Sequence, residues 1–287
     1  MPPTLTGSCL CGEIAWQAEP PLELAHHCHC SICRRHHGTA FTTLGAVAPE
    51  GFRWLRGEAG IRGYESSPGM VRTYCGRCGS KVPSQGAEGR RYLHLGNLEG
   101  DPGVRPLAHI YAASKAPWWE ITDSLPSFDV LPPGFEETKL PPRPAPPAAA
   151  PGRIGGGCLC GTVRYELEPP IPMLRNCHCS RCRKARSAAH ATNAYLPLGQ
   201  FHWTAGEAKV RRYKVPEARF FTQAFCGECG SPVPRTDPER GLAFVPAGSF
   251  DGDPGLRVAE HIFTGSKAPW HEITDSLPRH EAAAPAR

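Results

Sequence analysis

Short stretches of alternating apolar and polar residues recur along the chain and predict β-strands. Ile14 and Trp16 alternate with polar neighbours, and Val163, Tyr165 and Leu167 repeat the pattern later. A period of two is that of a strand with one buried face. The stretches "RYLHLGNL" at 91–98 and "LAFVPAGSF" at 242–250 predict further strands.

Turns and one short helix complete the predicted secondary structure. "FRWLRGEAGIRGY" and "FHWTAGEAKVRRY" resemble hairpins that turn at Gly57-Glu58 and Gly206-Glu207. The best helical candidate is a short turn that opens at Ser31 or Ser180, where the serine would cap the first backbone amides. Because the chain also contains 32 prolines and 31 glycines, we expect a mainly β protein with little helix.

The chain repeats one module. "GSCLCGEIAW" at 7–16 returns as "GGCLCGTVRY" at 156–165, and the stretches "CHCSICR", "CGRCGSKVP" and "SKAPWWEITDSLP" return in the same order with few changes. A length of 287 residues suits two domains. We predict a first zinc domain at 1–131, an extended Pro/Ala-rich linker at 132–153, a second zinc domain at 154–280 and a frayed tail at 281–287.

The chain contains fourteen cysteines, whose C-x-C and C-x-x-C spacings suit a metal better than ordinary disulfides. The N-terminus lacks an export signal and no long apolar run occurs, so we expect a soluble cytoplasmic protein without a membrane partner. The formal charge of +5 counts every cysteine as a neutral thiol. Metal binding as thiolates would cancel this excess, so the composition does not predict a nucleic-acid partner.

The seven cysteines of each copy divide into a group of four and a group of three. A C-x-C pair in extended chain and a C-x-x-C-G knuckle together offer the four thiolates of a closed, structural zinc site. The remaining C-x-C-x-x-C offers three ligands and an open position, which is the pattern of catalytic zinc. We therefore expect two Zn²⁺ per domain and four per chain.

These groups are defined as follows. The predicted structural ligands are Cys9, Cys11, Cys75 and Cys78 in the first copy and Cys158, Cys160, Cys226 and Cys229 in the second. The predicted ligands of the open sites, which are also the predicted catalytic residues, are Cys28, Cys30 and Cys33 in the first copy and Cys177, Cys179 and Cys182 in the second.

A histidine in the fourth position of the three-cysteine site is the alternative. His29 and His178 lie inside the motif, but they alternate with the cysteines and should point to the opposite face. His109 and His261 recur in both copies and remain possible ligands.

The chemistry of a three-cysteine zinc points to a thiol substrate. Three thiolates make the ion a weaker Lewis acid than one held by histidines, so generating hydroxide is not its natural task. Binding a fourth, incoming thiolate suits such an ion better, since zinc is borderline-soft and the bound sulfur stays nucleophilic.

The combined motifs resemble the family of glutathione-dependent formaldehyde-activating enzymes, which also contains centromere protein V. The resemblance covers "GSCLCG", "CHCSICRRHHGTAF", "CGRCGS" and "HIYAASKAPWWEITDSLP" and their counterparts in the second copy. It implies coiled antiparallel β-sheets and the same division of cysteines into structural and three-cysteine sites.

The family's named reaction joins formaldehyde to glutathione and gives S-hydroxymethylglutathione, a carbon–sulfur lyase reaction in the reverse sense. The resemblance thus implies an enzyme whose partners are a small thiol such as glutathione and an aldehyde. The alternative is a non-catalytic, zinc-stabilised tandem binding module, as the centromere protein branch implies.

Residues beside the motifs are assigned supporting roles. The basic pairs Arg34-Arg35 and Arg183-Lys184 could hold substrate carboxylates, and the alternative is that they form a solvated face. His190 replaces Phe41 in the second copy, so the two substrate pockets are not expected to be identical.

Two further pairs of recurring residues are expected to be structural. Asp123 and Asp275 should cap turns, and Trp118 and Trp270 should pack in the core or at the rim of a pocket.

Overall fold

A computed structural model describes residues 4–135 and 145–285 and contains two repeated sets of β-sheets. The first copy has strands β1 Leu5–Ser8, β2 Ala15–Ala18, β3 Glu23–Cys28, β4 Thr42–Val47, β5 Phe52–Arg56, β6 Ile61–Ser67, β7 Met70–Cys75, β8 Ser84–Gln85, β9 Arg91–His94 and β10 His109–Ile110, and helix α1 Ser31–His37. The second copy has strands β11 Ile154–Gly157, β12 Arg164–Leu167, β13 Met173–Cys177, β14 Ala191–Pro197, β15 Phe201–Ala205, β16 Val210–Lys214, β17 Thr222–Cys226, β18 Arg235–Asp237, β19 Leu242–Pro246 and β20 Val258–Ile262, and helix α2 Ser180–Arg186.

Each copy folds into three sheets. In the first copy the strand orders are β1-β2-β5, β10-β3-β4-β9-β8 and β6-β7, and the second copy repeats them as β11-β12-β15, β20-β13-β14-β19-β18 and β16-β17. Only the β3–β10 and β13–β20 pairs are parallel among the described strands. The prediction of a mainly β fold with little helix is confirmed. No helix within 4–135 or 145–285 has the length and apolar character needed to cross a bilayer.

The predicted strands after the C-x-C-G motif are present as β2 and β12, but the two predicted hairpins are wrong. Strand β5 pairs with β2 and strand β6 pairs with β7, so the halves of "FRWLRGEAGIRGY" belong to different sheets. Gly57 has φ 77° and leads into a 3₁₀ turn at Glu58–Gly60. A Cβ at Gly57 would lie 2.2 Å from the Glu13 carbonyl oxygen, so this turn packs against the cysteine loop instead of closing a hairpin.

The predicted helices are present, with a different cap. Helix α1 begins at Ser31, but its capping side chain is that of Cys30, whose Sγ accepts a hydrogen bond from the Cys33 N–H. Cys179 caps α2 in the same way. The cysteine side chain caps the helix instead of the serine side chain because the cysteine lies one residue earlier. Its backbone there is in the extended conformation that an N-cap requires.

The structure describes only part of the predicted linker and of the predicted tail. Residues 136–144 of the linker and 286–287 of the tail lie outside the described residues. The end of the linker lies against the second copy, where the Ala150 N–H donates to Glu166 Oε1 at 3.0 Å. Within the described part of the tail, the Ala282 carbonyl accepts a hydrogen bond from the Phe263 N–H at 2.8 Å.

The two copies contribute residues to the same buried apolar clusters. A single cluster of buried apolar residues contains Trp16 and Trp118 from the first copy and Tyr165 and Trp270 from the second. Trp118 and Trp270 are 2 % and 1 % exposed, in agreement with the expected core role. The pairing of copies is therefore part of the fold itself.

Each helix packs against a 3₁₀ turn of the other copy. Helix α1 contacts the 3₁₀ turn Ala247–Ser249, and α2 contacts the equivalent turn Leu95–Asn97 of the other copy. A Cβ at Gly248 would lie 2.4 Å from the Thr39 backbone nitrogen, and a Cβ at Gly96 would lie 2.2 Å from that of Ala188. The contacts are reciprocal, as in a symmetric dimer interface.

Ion pairs reinforce this interface. Arg35 binds Asp251 at 2.6 Å and the Ser249 carbonyl at 3.0 Å. At the equivalent position Lys184 pairs with Glu99 of the first copy. These two cations therefore join the copies, and the expectation that they hold substrate carboxylates is not supported.

Changing Gly96 or Gly248 to alanine tests the close packing of the copies. Because the added methyl would meet backbone atoms, we expect each change to lower the free energy of unfolding by about 1–3 kcal/mol. The matched control is Gly199→Ala, since no atom lies within 4 Å of a Cβ there. Chemical denaturation measures all three variants, and equal stabilities would contradict the interface.

Candidate metal centres

The fourteen cysteines form four groups in which the sulfur atoms lie within 4.8 Å of one another. Two groups contain four cysteines and two contain three, with the membership expected from the spacing. All fourteen cysteines are free of disulfides. The groups could each hold a metal ion.

The four-cysteine group of the first copy joins two distant parts of the chain. Cys9 and Cys11 lie in the loop between β1 and β2, whereas Cys75 ends β7 and Cys78 follows in the knuckle. The Sγ atoms of Cys9 and Cys11 are 3.4 Å apart, and those of Cys11 and Cys75 are 3.8 Å apart. Tetrahedral zinc with Zn–S bonds of about 2.3 Å needs sulfurs about 3.8 Å apart, so the donor set fits.

The second four-cysteine group has the same dimensions. The Sγ atoms of Cys158 and Cys160 are 3.4 Å apart, and those of Cys160 and Cys226 are 3.8 Å apart. The two copies thus build the same site from equivalent residues.

A serine holds the two parts of each site together. Ser80 Oγ accepts from the Leu10 N–H at 2.9 Å, and the Cys78 thiol donates to it. In the second copy Ser231 Oγ accepts from the Leu159 N–H at 3.2 Å. Sequence reasoning missed these serines, although the recurring "CGxCGS" motif was a signal.

The electrostatics of the four-cysteine groups also favour a cation. Hydrogen bonds from Cys11 and its neighbours hold the pKa of Cys78 far below its usual value, while the same cysteine network raises the pKa of Cys75. Only some of the thiols can therefore ionise together. A divalent ion would remove this restriction and displace the remaining protons.

The three-cysteine groups lie where a strand passes into a helix. Cys28 is the last residue of β3, Cys30 caps α1 and Cys33 lies in the first turn of that helix. Cys30 Sγ accepts from the Cys33 N–H at 3.3 Å. Neighbouring thiols, first that of Cys28, lower the pKa of Cys30, which favours a thiolate.

The second three-cysteine group has the same arrangement. Cys179 Sγ accepts from the Cys182 N–H at 3.4 Å. Hydrogen bonds from Cys177 and Cys182 lower the pKa of Cys179 to about 3. Within the described residues, no histidine, aspartate, glutamate or further cysteine joins either group of three.

The recurring histidines bind elsewhere. His29 Nε2 donates to His109 Nδ1 at 2.8 Å, and His109 Nε2 donates to Asp123 at 2.9 Å. The His178, His261 and Asp275 side chains repeat this chain of hydrogen bonds in the second copy. The alternative of His109 and His261 as fourth ligands is therefore not supported.

The two aspartates have a double role. Asp123 Oδ1 accepts from the Leu125 N–H at 3.0 Å, which is the expected turn cap, and it also accepts from His109. Sequence reasoning missed the histidine–aspartate pairs, although both residues recur in each copy.

The surroundings of the two triads differ. Cys28, Cys30 and Cys33 are only 4 %, 5 % and 2 % exposed, and Arg72 Nη1 lies 3.8 Å from Cys33 Sγ. Cys179 and Cys182 are partly exposed.

The arginines beside the triads also come from different positions. Gln223 occupies the position equivalent to Arg72. The second triad instead has Arg186 and Arg235 within electrostatic range of Cys182. Sequence reasoning missed Arg72, which belongs to no motif.

A family model described as "Glutathione-dependent formaldehyde-activating enzyme" matches residues 4–114 and 153–266. The matched segments contain all four cysteine groups and most of the chain. The chain belongs to this family. As a family member it carries the family match twice, once in each set of sheets, which agrees with a tandem arrangement.

Other comparisons add little to the family assignment. No curated protein matches the chain. A crystal structure of a Rhodobacter sphaeroides protein is 24 % identical over 34 % of this chain and 89 % of that one, with a TM-score of 0.28. A TM-score this low supports no conclusion about the site.

Metal content and two serine variants test the division into groups. We expect four divalent ions per chain, one for each cysteine group. Cys75→Ser should lose one ion and lower the melting temperature sharply, because its group joins two sheets. Cys30→Ser should also lose one ion, with a smaller loss of stability. Elemental analysis and thermal unfolding measure both effects, and two ions per wild-type chain would show that the triads bind none.

Proposed function

We propose that the protein is a zinc-dependent carbon–sulfur lyase-type enzyme that acts on glutathione–aldehyde adducts, similar to S-hydroxymethylglutathione synthase. The observation that carries the proposal is the three-cysteine group, which occurs in both copies without a fourth protein ligand of the usual types among the described residues. Membership of the formaldehyde-activating family supports the choice of thiol and aldehyde.

Zinc is the metal that best suits these donor sets, because it combines thiolate ligands with tetrahedral geometry and has no redox chemistry. Zinc bound by a triad would offer a fourth position to the glutathione sulfur and keep that sulfur deprotonated. Four ions per chain would then serve two structural and two substrate-binding sites.

The proposed reaction is an addition without oxidation or reduction. The glutathione sulfur forms a bond to the carbonyl carbon of formaldehyde, and the π electrons of the carbonyl move to its oxygen. The thiol proton passes to solvent when the sulfur becomes a thiolate, and the carbonyl oxygen takes a proton from solvent, so S-hydroxymethylglutathione forms with no net change in protons. The lyase direction reverses each of these steps.

Arginines beside the triads are suited to the carboxylates of glutathione. Arg72 approaches the first triad, and Arg183 lies in α2 next to Cys182 and within electrostatic range of Cys179. Guanidinium groups bind carboxylates through paired N–H donors. They also offset the negative charge that a thiolate-rich site presents to an anionic peptide.

We assign most of the thiol binding to the second copy. Its Cys179 and Cys182 are partly exposed, whereas all three cysteines of the first triad are buried. The second triad is therefore the more accessible of the two to a thiol from solvent.

Cobalt substitution tests whether a thiol binds directly at the triads. Titration of the cobalt form with glutathione should change the sulfur-to-cobalt charge-transfer absorption, because one more sulfur enters the coordination sphere. S-Methylglutathione is the matched control and should have no such effect. An unchanged spectrum at saturating glutathione would favour the zinc-stabilised binding module.

Serine variants test the division between the copies. Cys179→Ser should remove most of the turnover of formaldehyde and glutathione, and Cys30→Ser should remove less, because the exposed triad is the main site. NMR detection of S-hydroxymethylglutathione measures both rates. A greater loss with Cys30→Ser would reverse the assignment.

A further inference from the structure

A cavity of about 500 Å³ lies between the copies, and its lining includes His27, the residue directly before Cys28. The two "ITDSLP" segments line it, and their Thr122 and Thr274 hydroxyls approach to 2.5 Å. No cysteine lines the cavity. Its volume lies in the range of small-molecule sites, which often form where two domains meet.

The cavity has an aromatic wall on one side. Phe41 and Trp119 of the first copy line it, with ring centroids 5.5 Å apart. Their counterparts in the second copy are His190 and His271, so the wall is not repeated. The second copy contributes Trp270 and His271 to the lining, so the two copies present different aromatic side chains to the cavity.

Carboxylates dominate the charge of the cavity lining. Among the residues that the structure describes, four acidic side chains and one arginine, Arg105, line it. Both terminal nitrogens of Arg105 bind Asp101, at 2.9 and 2.8 Å, so its charge is already compensated. Burial lowers the pKa of His271 to about 3, so this histidine adds no positive charge. The four acidic residues are Glu120, Asp123, Glu272 and Asp275.

The two aspartates are held in place before any ligand arrives. Asp123 accepts hydrogen bonds from His109 at 2.9 Å and from the Leu125 N–H at 3.0 Å. Asp275 has the equivalent partners in the second copy, and both carboxylates keep part of their surface exposed. Fixed carboxylates lose little conformational entropy when they bind a ligand.

From this combination we propose that the cavity binds a small organic cation, with an ammonium group near Asp123 and Asp275 and an apolar part against Phe41 and Trp119. The carboxylates would pair with the charged head, and the aromatic rings would bind the apolar part and stabilise the cation through their π faces. None of the described cysteines lines the cavity, so the proposal does not depend on whether the chain adds thiols to aldehydes.

Calorimetric titration of the full-length, metal-loaded protein tests the proposal with benzylamine as the probe. Benzyl alcohol and benzoate have the same ring with a neutral and an anionic head. We expect benzylamine to bind at least about tenfold more tightly than benzyl alcohol, and benzoate not to bind. Equal affinities for the three probes, or no binding of benzylamine, would overturn the proposal.

A charge-matched pair of double variants locates the binding. Asp123→Asn with Asp275→Asn should weaken benzylamine binding about tenfold, since the amides keep the size of the side chains but lose the charge. The control, Glu58→Gln with Glu207→Gln, removes two exposed charges from the turns at Glu58–Gly60 and Glu207–Lys209 and should change nothing. Equal weakening in both variants would show a diffuse charge effect and contradict the site.

A second double variant tests the same cavity if the aspartate double variant does not fold. If thermal unfolding shows that the aspartate variant is unstable, Glu120→Gln with Glu272→Gln changes the exposed carboxylates of the same cavity. Benzylamine binding should weaken here too, and unchanged affinity would overturn the proposal.

Discussion

In each copy, four cysteine sulfurs come together from two parts of the chain that are more than sixty residues apart. The rest of the fold is arranged around this group of sulfurs. It brings the loop before β2 against the knuckle that follows β7, and so joins a three-stranded sheet to a two-stranded one. The turn at Gly57 packs against the same loop, which sends β5 and β6 into different sheets. Because β7 ends at Cys75, the same closure places Arg72 beside the first three-cysteine group.

The knuckles also connect the metal centres to the pairing of the copies. A Cβ at Gly79 would lie 2.5 Å from the Phe225 ring, and one at Gly230 would lie 2.4 Å from the Tyr74 ring, so each knuckle receives an aromatic ring from the other copy. Lys81 Nζ donates to the carbonyls of Gly79 and Gly230 at 2.7 and 2.6 Å. Loss of metal from one knuckle would therefore disturb the interface as well as its own copy.

Pairing two diverged copies has chemical consequences that a symmetric pair would not have. Arginines approach the two triads from positions that are not equivalent, and the triads differ in exposure. The two copies also contribute different aromatic side chains to the shared cavity, Phe41 and Trp119 from the first and Trp270 and His271 from the second. One chain can thus hold two related metal sites with different access, together with a cavity that both copies line.

Features that depend on residues close together in the sequence could be predicted, whereas features that depend on contacts between distant segments could not. The strands β2 and β12, the short helices and the grouping of cysteines were all predictable, whereas the hairpins at Gly57 and Gly206 were predicted wrongly. A turn motif shows that the chain changes direction, but the partners of the flanking strands depend on packing with distant segments. The histidine–aspartate pairs could have been recognised because both residues recur in each copy. No sequence motif indicated a role for Arg72.

The sequence by itself determined which cysteines can share a metal and that the module occurs twice, because ligand spacing and repetition are local properties of the chain. Only the tertiary structure decided that the copies merge into one body, that Arg35 binds Asp251 across 216 residues, and that a carboxylate-lined cavity lies between the copies. These features depend on side chains that meet only after the two copies have packed together, and no spacing along the chain encodes that meeting.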